Sequence, residues 1–433
     1  NALLEHKGAP TLFVVTKGFA DLLRIGRQSR PDIFALNIRK PDPLYDMVRE
    51  VEARLSLDGE WLAPLDVEAA RRMFSDARQA GAQSCAIAMM NAWKFPDLEQ
   101  FLGELAREVG FSHVTLSHQA DPLVGYVARA ATGVADAYLS PVLHQYVHQV
   151  RQALGMAPLR FMQSNGGLAE ADSFQGKDAV LSGPAGGVVG SARSALALGH
   201  DRVIGFDMGG TSTDISVYEG AFERVTEAEV AGTPLRVPMM DIHTVAAGGG
   251  SIIRFEQGRL QVGPHSAGAD PGPCAYRRGG PLTVTDANVL LGRIQPDYFP
   301  AVFGPGQDKR LDAAAVESAF GSLANKVQAE SQEPRSAQEI GDGALRIAVA
   351  NMAQAIRKVT LEKGRDTEGF VLQAFGGAGG QHACLVAAEL DINTVLIHPF
   401  SGVLSALGIG LADEIDIRRG SVEAVLDTDG VES

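Results

Sequence analysis

Gly205-Phe206-Asp207-Met208-Gly209-Gly210-Thr211-Ser212-Thr213-Asp214 decides how this chain is read. Val203 to Phe206 is a short apolar strand that delivers Asp207 at its end. Met208 to Thr211 makes a tight turn, and Thr213 to Val217 leads back out as a second strand. Glycines let successive backbone N–H groups point into one space and approach phosphate oxygens closely. Thr211 and Thr213 add hydroxyl donors, and Asp207 and Asp214 supply hard carboxylate oxygens suited to Mg2+, directly or through water. A β-hairpin whose glycines merely turn the chain needs neither the two acids nor the two threonines. The loop lacks a Gly-Lys-Ser/Thr end and opens onto a strand, whereas a Walker loop or a dinucleotide fingerprint opens onto a helix. The pattern predicts a phosphate-binding turn, with Gly209, Gly210, Thr211 and Thr213 around ATP. Asp207 and Asp214 are the expected catalytic and metal-holding residues.

Two further glycine clusters follow predicted strands: Ala246-Ala247-Gly248-Gly249-Gly250-Ser251 and Phe375-Gly376-Gly377-Ala378-Gly379-Gly380-Gln381-His382. The later one also precedes a helix, so its amides and the helix N-terminus are placed to face an anion or a nucleotide. Tight strand-to-helix packing would account for either cluster alone. Three clusters after strands in one chain point to a nucleotide cleft, which makes Gly248, Gly249, Gly250, Gly376, Gly377, Gly379, Gly380 and His382 candidate ATP contacts. For His382 a satisfied structural role fits equally well.

Composition narrows the class. A chain of 433 residues is too long for one compact core and predicts two or more lobes. A hydrophobic fraction of 45% with 21% charged residues suits a well-packed enzyme. The net charge of −14 and the lack of any basic stripe argue against a nucleic-acid surface. No apolar run reaches the roughly 18 residues of a membrane span. Cys85, Cys274 and Cys384 are scattered without metal-ligand spacing, which suits a reducing cytoplasm and small apolar packing roles.

Along the chain, strands are expected at Thr11–Thr16, Ser84–Met89 and Val114–Ser117, and helices at Asp66–Ala80 and Pro96–Val109. This alternation is the mark of α/β units around a mostly parallel sheet. Asp121 to Leu154 reads as two helices broken near Ser140-Pro141, because proline removes a helical hydrogen bond. A helix opens at Ser182, and Gly263 to Gly280 reads as irregular. Leu311 to Leu361 is mostly helical with an exposed loop near Glu330–Pro334, and a last strand covers Thr394–His398. The domain boundary is expected near Gly199, giving an N-terminal lobe at 1–199 and a C-terminal ATPase lobe at 200–433.

With the three clusters in place, the chain resembles the actin-like ATPase superfold, of sugar kinase and actin type, and within it the hydantoinase A/5-oxoprolinase family. Further stretches carry that resemblance: Thr16-Lys17-Gly18-Phe19-Ala20-Asp21 through Pro31, Ser164-Asn165-Gly166-Gly167 and Ser182-Gly183-Pro184-Ala185-Gly186-Gly187. So do Gly268 to Pro273 with Thr283 to Asn288, and His398 through Ser401 to Gly408. Phe34 to Pro41, Asp241 to Gly250 and Gly376 to Cys384 are more similar to 5-oxoprolinase than to hydantoinase or acetone carboxylase.

The resemblance implies a two-lobed α/β fold that uses ATP to phosphorylate the oxygen of a lactam, imide or ketone. For 5-oxoprolinase the substrate is a small cyclic amide, 5-oxo-L-proline, opened to L-glutamate. N-methylhydantoinase or hydantoinase A subunits, a ketone (acetone-type) carboxylase ATPase subunit, and a non-catalytic nucleotide-binding module are the alternatives. It also implies a hydantoinase B-type subunit or fused domain as partner, and a cytoplasmic oligomer. Family members begin with a first Asp-x-Gly-Gly-Thr-type loop, and Asn1 to Glu5 resembles sequence downstream of it, so a fragment with a truncated first lobe is expected.

On the substrate side, Arg27 and Arg30 belong to a basic loop (with Arg24, Arg39 and Lys40) whose guanidinium groups could hold a carboxylate. A solvated loop fits as well. His265, Asp270, Asp286 and Asn288, with Thr285 between the last two, are candidates to line a substrate, although polar residues beside turns are often caps.

Overall fold

The computed structural model describes residues 2–423, apart from 4, 28–33, 35, 39 and 156. The chain divides into two compact units, and the division is discontinuous in sequence. Unit 1 comprises 1–182, 224–239 and 413–433, and unit 2 comprises 183–223 and 240–412. The boundary expected near Gly199 therefore falls earlier, and two later segments return to the first unit.

Unit 1 is built on β1 (Thr11–Thr16), β2 (Met47–Val51), α1 (Val67–Gln79), β3 (Ser84–Ala88), α2 (Asp97–Glu108) and β4 (His113–Leu116). All of β1 and β3 is buried, as expected of central strands covered on both faces. The sheet runs β2-β1-β3-β4, entirely parallel, with Leu12 opposite Met47, Thr11 opposite Ser84, and Ser84 opposite His113. Asp66 caps α1 by accepting the Ala69 N–H at 2.9 Å, and the helix buries Ala70, Phe74 and Ala77 along one face.

The two helices expected between Asp121 and Leu154 are one, α3 (Tyr126–Leu154), with Pro141 inside it. The proline costs about 3 kcal/mol. Against that, every residue from Ala128 to Ser140 is buried, and Ser140 Oγ accepts the Gly176 N–H at 3.0 Å while donating to Asp136. Tertiary packing overrides the local signal.

Unit 2 contains α4 (Ser182–Leu196), β5 (Arg202–Met208), β6 (Thr213–Glu219), β7 (Ile242–Val245), the hairpin β8 (Ser251–Glu256) and β9 (Arg259–Ser266), and α5 (Val284–Leu290). Then come α6 (Ala313–Ser331), α7 (Ala337–Glu362), β10 (Val371–Phe375), α8 (Gly379–Glu389), β11 (Val395–Leu396) and α9 (Leu404–Gly410). The stretch expected to be irregular from Gly263 is still strand as far as Ser266, and the last strand is shorter than the expected Thr394–His398.

Its sheet runs β7-β6-β5-β10-β11. The first three strands form an antiparallel meander, and β10 and β11 run parallel to β5. This is a mixed α/β lobe, in keeping with the α/β class expected from the sequence. Phe206, Met208 and Ile215 of the sheet share one core with Met352 and Ile356 of α7 and Val386 of α8. Helices α4 and α9 meet at glycines: a Cβ at Gly186 would lie 2.6 Å from Ser405 O, and one at Gly408 would strike the backbone of Gly186 and Gly190. No helix among the described residues is long and apolar enough to cross a membrane.

Candidate functional site

The antiparallel register of β5 and β6 sets Asp207 opposite Asp214 and Met208 opposite Thr213. β7 adds Thr244 opposite Asp214, and β10 ends with Phe375 opposite Asp207. Two carboxylates therefore stand side by side where β5 and β10 end, the edge at which α/β sheets present ligands. The turn between them closes through Gly209 N–H to Ser212 O at 3.0 Å. Gly210 and Thr211 are exposed, and no atom lies within 4 Å of where a Cβ on Gly210 would be.

The electrostatics follow from burial. Partial burial, then the charge on Asp214, pushes the Asp207 carboxyl up to about 6. Burial also raises Asp214, against the opposing effect of the Thr244 hydroxyl, which donates to its Oδ1 at 2.6 Å. Thr244 was not singled out from sequence, because only strand register places it beside Asp214.

The second glycine cluster supports this turn from behind. Gly249 N–H donates to Gly209 O at 3.2 Å and Gly250 N–H to Gly210 O at 2.6 Å. A Cβ at Gly248 would come within 2.8 Å of Thr211 C, Gly210 O and Ser212 N. All three glycines are buried, and the Gly249 and Gly250 amides are spent on the turn's own carbonyls. Their expected ATP contact is replaced by a buttressing role. Thr213 likewise differs from expectation: it is buried, and its hydroxyl donates to Ala247 O. The Thr285 N–H and hydroxyl both donate to Gly249 O, at 2.8 and 2.9 Å, and anchor the buttress.

The third cluster divides in two. Gly376 has a φ of +79°, and a Cβ there would collide with Asp207 Oδ1 and lie 2.5 Å from Met208 O. Ala378 N–H donates to Met208 O at 2.9 Å, and Gly379, the first residue of α8, is buried. Gly377 and Gly380 are exposed, with nothing within 4 Å of a Cβ at Gly377. These two leave backbone accessible beside the carboxylate pair.

His382 and Asn288 come together, but in the interior. Asn288 Nδ2 donates to Gln381 Oε1 at 3.0 Å and lies 3.2 Å from His382 Nε2. Burial, then the charge of Arg293, pushes His382 down to about 4. His382 Nδ1 and Asn288 Oδ1 are buried without a partner among the described residues.

Asp286 is fully buried and accepts from Thr283 N (2.8 Å), Thr283 Oγ1 (2.9 Å), Cys274 N (3.1 Å) and Ala275 N (2.8 Å). It forms the capping box of α5 and leaves no oxygen for a substrate. His265 and Asp270 are exposed, on a segment whose Ala267 N–H donates to Gly250 O at 2.9 Å.

In unit 1, Arg27 donates to both oxygens of Glu227, at 2.7 and 3.0 Å, so its expected carboxylate partner is already supplied by the protein. Arg30 lies outside the described residues. A cavity of about 580 Å3 in unit 1 has Arg27, Lys40 and Glu227 on its wall; it contains no residue of the Asp207 turn. Of the cysteines, Cys85 is buried, which raises its thiol well above the ordinary range.

The Asp207–Asp214 pair fits a divalent cation. Among the described residues no group of three or more His, Cys, Asp or Glu side chains gathers around any point. Mg2+ asks for less: one or two carboxylates, with water and phosphate oxygens completing its shell. Burial and mutual repulsion disfavour two adjacent negative charges, and a bound cation would relieve both.

Known proteins resemble this chain over most of its length. Residues 129–418 match the family model for hydantoinase/oxoprolinase, and residues 1–110 match that for the hydantoinase/oxoprolinase N-terminal region. The chain is 45% identical over 455 residues to 5-oxoprolinase 1 of Arabidopsis thaliana, covering 98% of this chain and 36% of that protein. It is 43% identical over 448 residues to 5-oxoprolinase of Saccharomyces cerevisiae, covering 96% and 35%. The chain thus spans about a third of the length of these curated relatives. Among solved structures it is similar to the ATP-dependent caprolactamase from Pseudomonas jessenii, with a TM-score of 0.80 and 32% identity over 96% of this chain and 60% of that one.

Proposed function

The chain belongs to the hydantoinase/oxoprolinase family, and from that premise we propose that it is the ATP-binding part of an enzyme that opens a cyclic amide. The substrate proposed is 5-oxo-L-proline, released as L-glutamate with ADP and phosphate. The 5-oxoprolinase relatives support that choice, and one observation carries the mechanism: Asp207 and Asp214 face each other beside an exposed Gly210–Thr211 turn held from behind by buried glycines.

A lactam resists water because attack at its carbon sacrifices amide resonance. Transfer of the γ-phosphoryl group to the lactam oxygen makes the carbon electrophilic: the bond from phosphorus to the lactam oxygen forms as the bond to the ADP oxygen breaks. Positioning and charge stabilisation supply most of the catalysis in such a transfer. The open backbone N–H groups of Gly210 and Thr211, with the Thr211 hydroxyl, would donate to phosphate oxygens. Asp207 and Asp214 would hold Mg2+, which when bound neutralises phosphate charge. The backbone at Gly377 and Gly380 would face the remainder of the nucleotide. Complete hydrolysis would draw on a B-type subunit or fused region, in keeping with the relative named caprolactamase subunit alpha. The working enzyme is taken to be a cytoplasmic oligomer.

The test is ADP release by the full-length protein, with any B part, across 5-oxo-L-proline, hydantoin, caprolactam, and acetone with bicarbonate. Stimulation by 5-oxo-L-proline supports the reading. Stimulation by another member of the panel reassigns the substrate, and nucleotide binding without stimulation by any of them makes this a regulatory module.

A further inference from the structure

Behind the glycine buttress lies a second cavity of unit 2, of about 270 Å3. On α7, Ala348, Asn351 and Met352 stand at i, i+3 and i+4, so one helix face supplies one side of it. Ala348 and Met352 are buried, while Asn351 is exposed at the rim. Val262 and Pro264 of β9 form another side. Between them Gly263 brings β9 against the chain that follows β7: a Cβ there would stand 3.5 Å from Ala246 O and 3.9 Å from Ser251 Oγ.

The remaining wall belongs to the buttress. Ala247, whose carbonyl accepts the Thr213 hydroxyl, and Ser251, whose hydroxyl oxygen accepts the Gly248 N–H at 3.0 Å, both line the cavity. Between these two residues the Gly249 and Gly250 amides reach the carbonyls of Gly209 and Gly210. The stretch from Ala247 to Ser251 therefore stands between the cavity and the Asp207 turn. Whatever fills the cavity bears on the residues that hold the turn in place.

The chemistry of the wall selects the occupant. Among the described residues it carries no charged side chain, so an ion entering it would leave water without gaining a counter-charge. Val262, Pro264 and Met352 offer apolar surface. The Asn351 amide, which has no partner among the described residues, offers both donors and an acceptor. At about 30 Å3 per water, the space takes roughly nine water-sized groups. Atoms lining a void forfeit dispersion contacts, which an occupant restores.

We infer that this cavity is a regulatory site for a small neutral molecule with an apolar body and one amide-like head, and that its occupation braces the buttress and tightens nucleotide binding at the Asp207 turn. The regulatory half rests on the reading of that turn as the ATP site. By linkage, the nucleotide must tighten the neutral ligand by the same factor.

The experiment uses the full-length protein and three probes of one shape: neutral benzamide, anionic benzoate and cationic benzamidine. Calorimetric titration should show benzamide binding in the millimolar range and either ion binding about tenfold more weakly. Saturating benzamide should lower the Kd for ATP about fivefold. Asn351→Ala, which removes the amide without adding bulk, should weaken benzamide about fivefold and leave ATP binding in its absence as in wild type. Ala348→Leu fills the space and should abolish benzamide binding; Asn351→Ala keeps the test decisive if the larger side chain disturbs α7. Absence of benzamide binding, or equal binding of the three probes, overturns the inference. So does benzamide binding that both variants retain in full, or that leaves the Kd for ATP unchanged. If the wild-type protein binds no ATP, the reading of the turn fails and the regulatory role falls with it, while the benzamide titration still decides whether the site exists.

Discussion

Gly209–Gly210 and Gly248–Gly250 look alike as sequence, each a glycine run after a strand, yet their surroundings are opposite. A methyl group on Gly210 would meet open space, whereas one on Gly248 would meet three backbone atoms of the first turn within 2.8 Å. The first run is shaped by what it leaves free, the second by what it must touch. The third cluster contains both kinds within five residues: Gly376 abuts the Asp207 carboxylate, and Gly377 stands clear. Glycine in a loop therefore signals close approach, and only the fold says whether ligand or protein makes it.

The buttress gives the strongest way to break this contrast. Gly248→Val should cost about 3–5 kcal/mol, as severe overpacking against backbone that cannot yield, and should abolish ATP binding; thermal unfolding and calorimetric titration of the full-length protein would show both. If Gly248→Val unfolds like wild type, the cluster does not support the turn. Gly376→Ala is next, at about 2–4 kcal/mol, because it combines a positive φ with a collision against Asp207.

A smaller effect separates interior from open residues at the third cluster. The folded protein holds His382 at about 4 against an ordinary 6.5. Between those values the unfolded chain binds a proton that the folded chain refuses, so stability falls as pH drops from about 6.5 to about 4. His382→Gln should flatten that part of a profile of unfolding temperature against pH. An unchanged slope would mean the ring is accessible to solvent. Smallest of all, Gly210→Ala should leave stability within about 0.5 kcal/mol of wild type while weakening ATP binding, since the added methyl occupies ligand space alone.

Much of unit 2 was legible because its signals are local. The strand–turn–strand from Arg202 to Glu219 and the strand-to-helix passage at Phe375–Gly379 follow from short apolar runs punctuated by glycine. What escaped depends on contacts distant in sequence. Pro141 stays helical because an uninterrupted buried face holds it, and Thr244 reaches Asp214 through strand register alone. Thr213 looked like a phosphate donor until the fold placed Ala247 O against it. Asp286 did carry a local signal, since Thr283 and Asp286 have capping-box spacing, and that spacing outweighs the substrate-lining role expected of it. The domain boundary was hidden for a different reason: segments 224–239 and 413–433 return to unit 1 after the chain has entered unit 2.

The facing pair Asp207 and Asp214 is where the whole account is most exposed to test. ADP release by the full-length protein with saturating ATP, Mg2+ and 5-oxo-L-proline, compared between wild type and Asp207→Ala, addresses it directly. The account predicts substrate-stimulated release in wild type and its loss, by at least about a hundredfold, in a variant that still folds. Undiminished turnover in Asp207→Ala would contradict it.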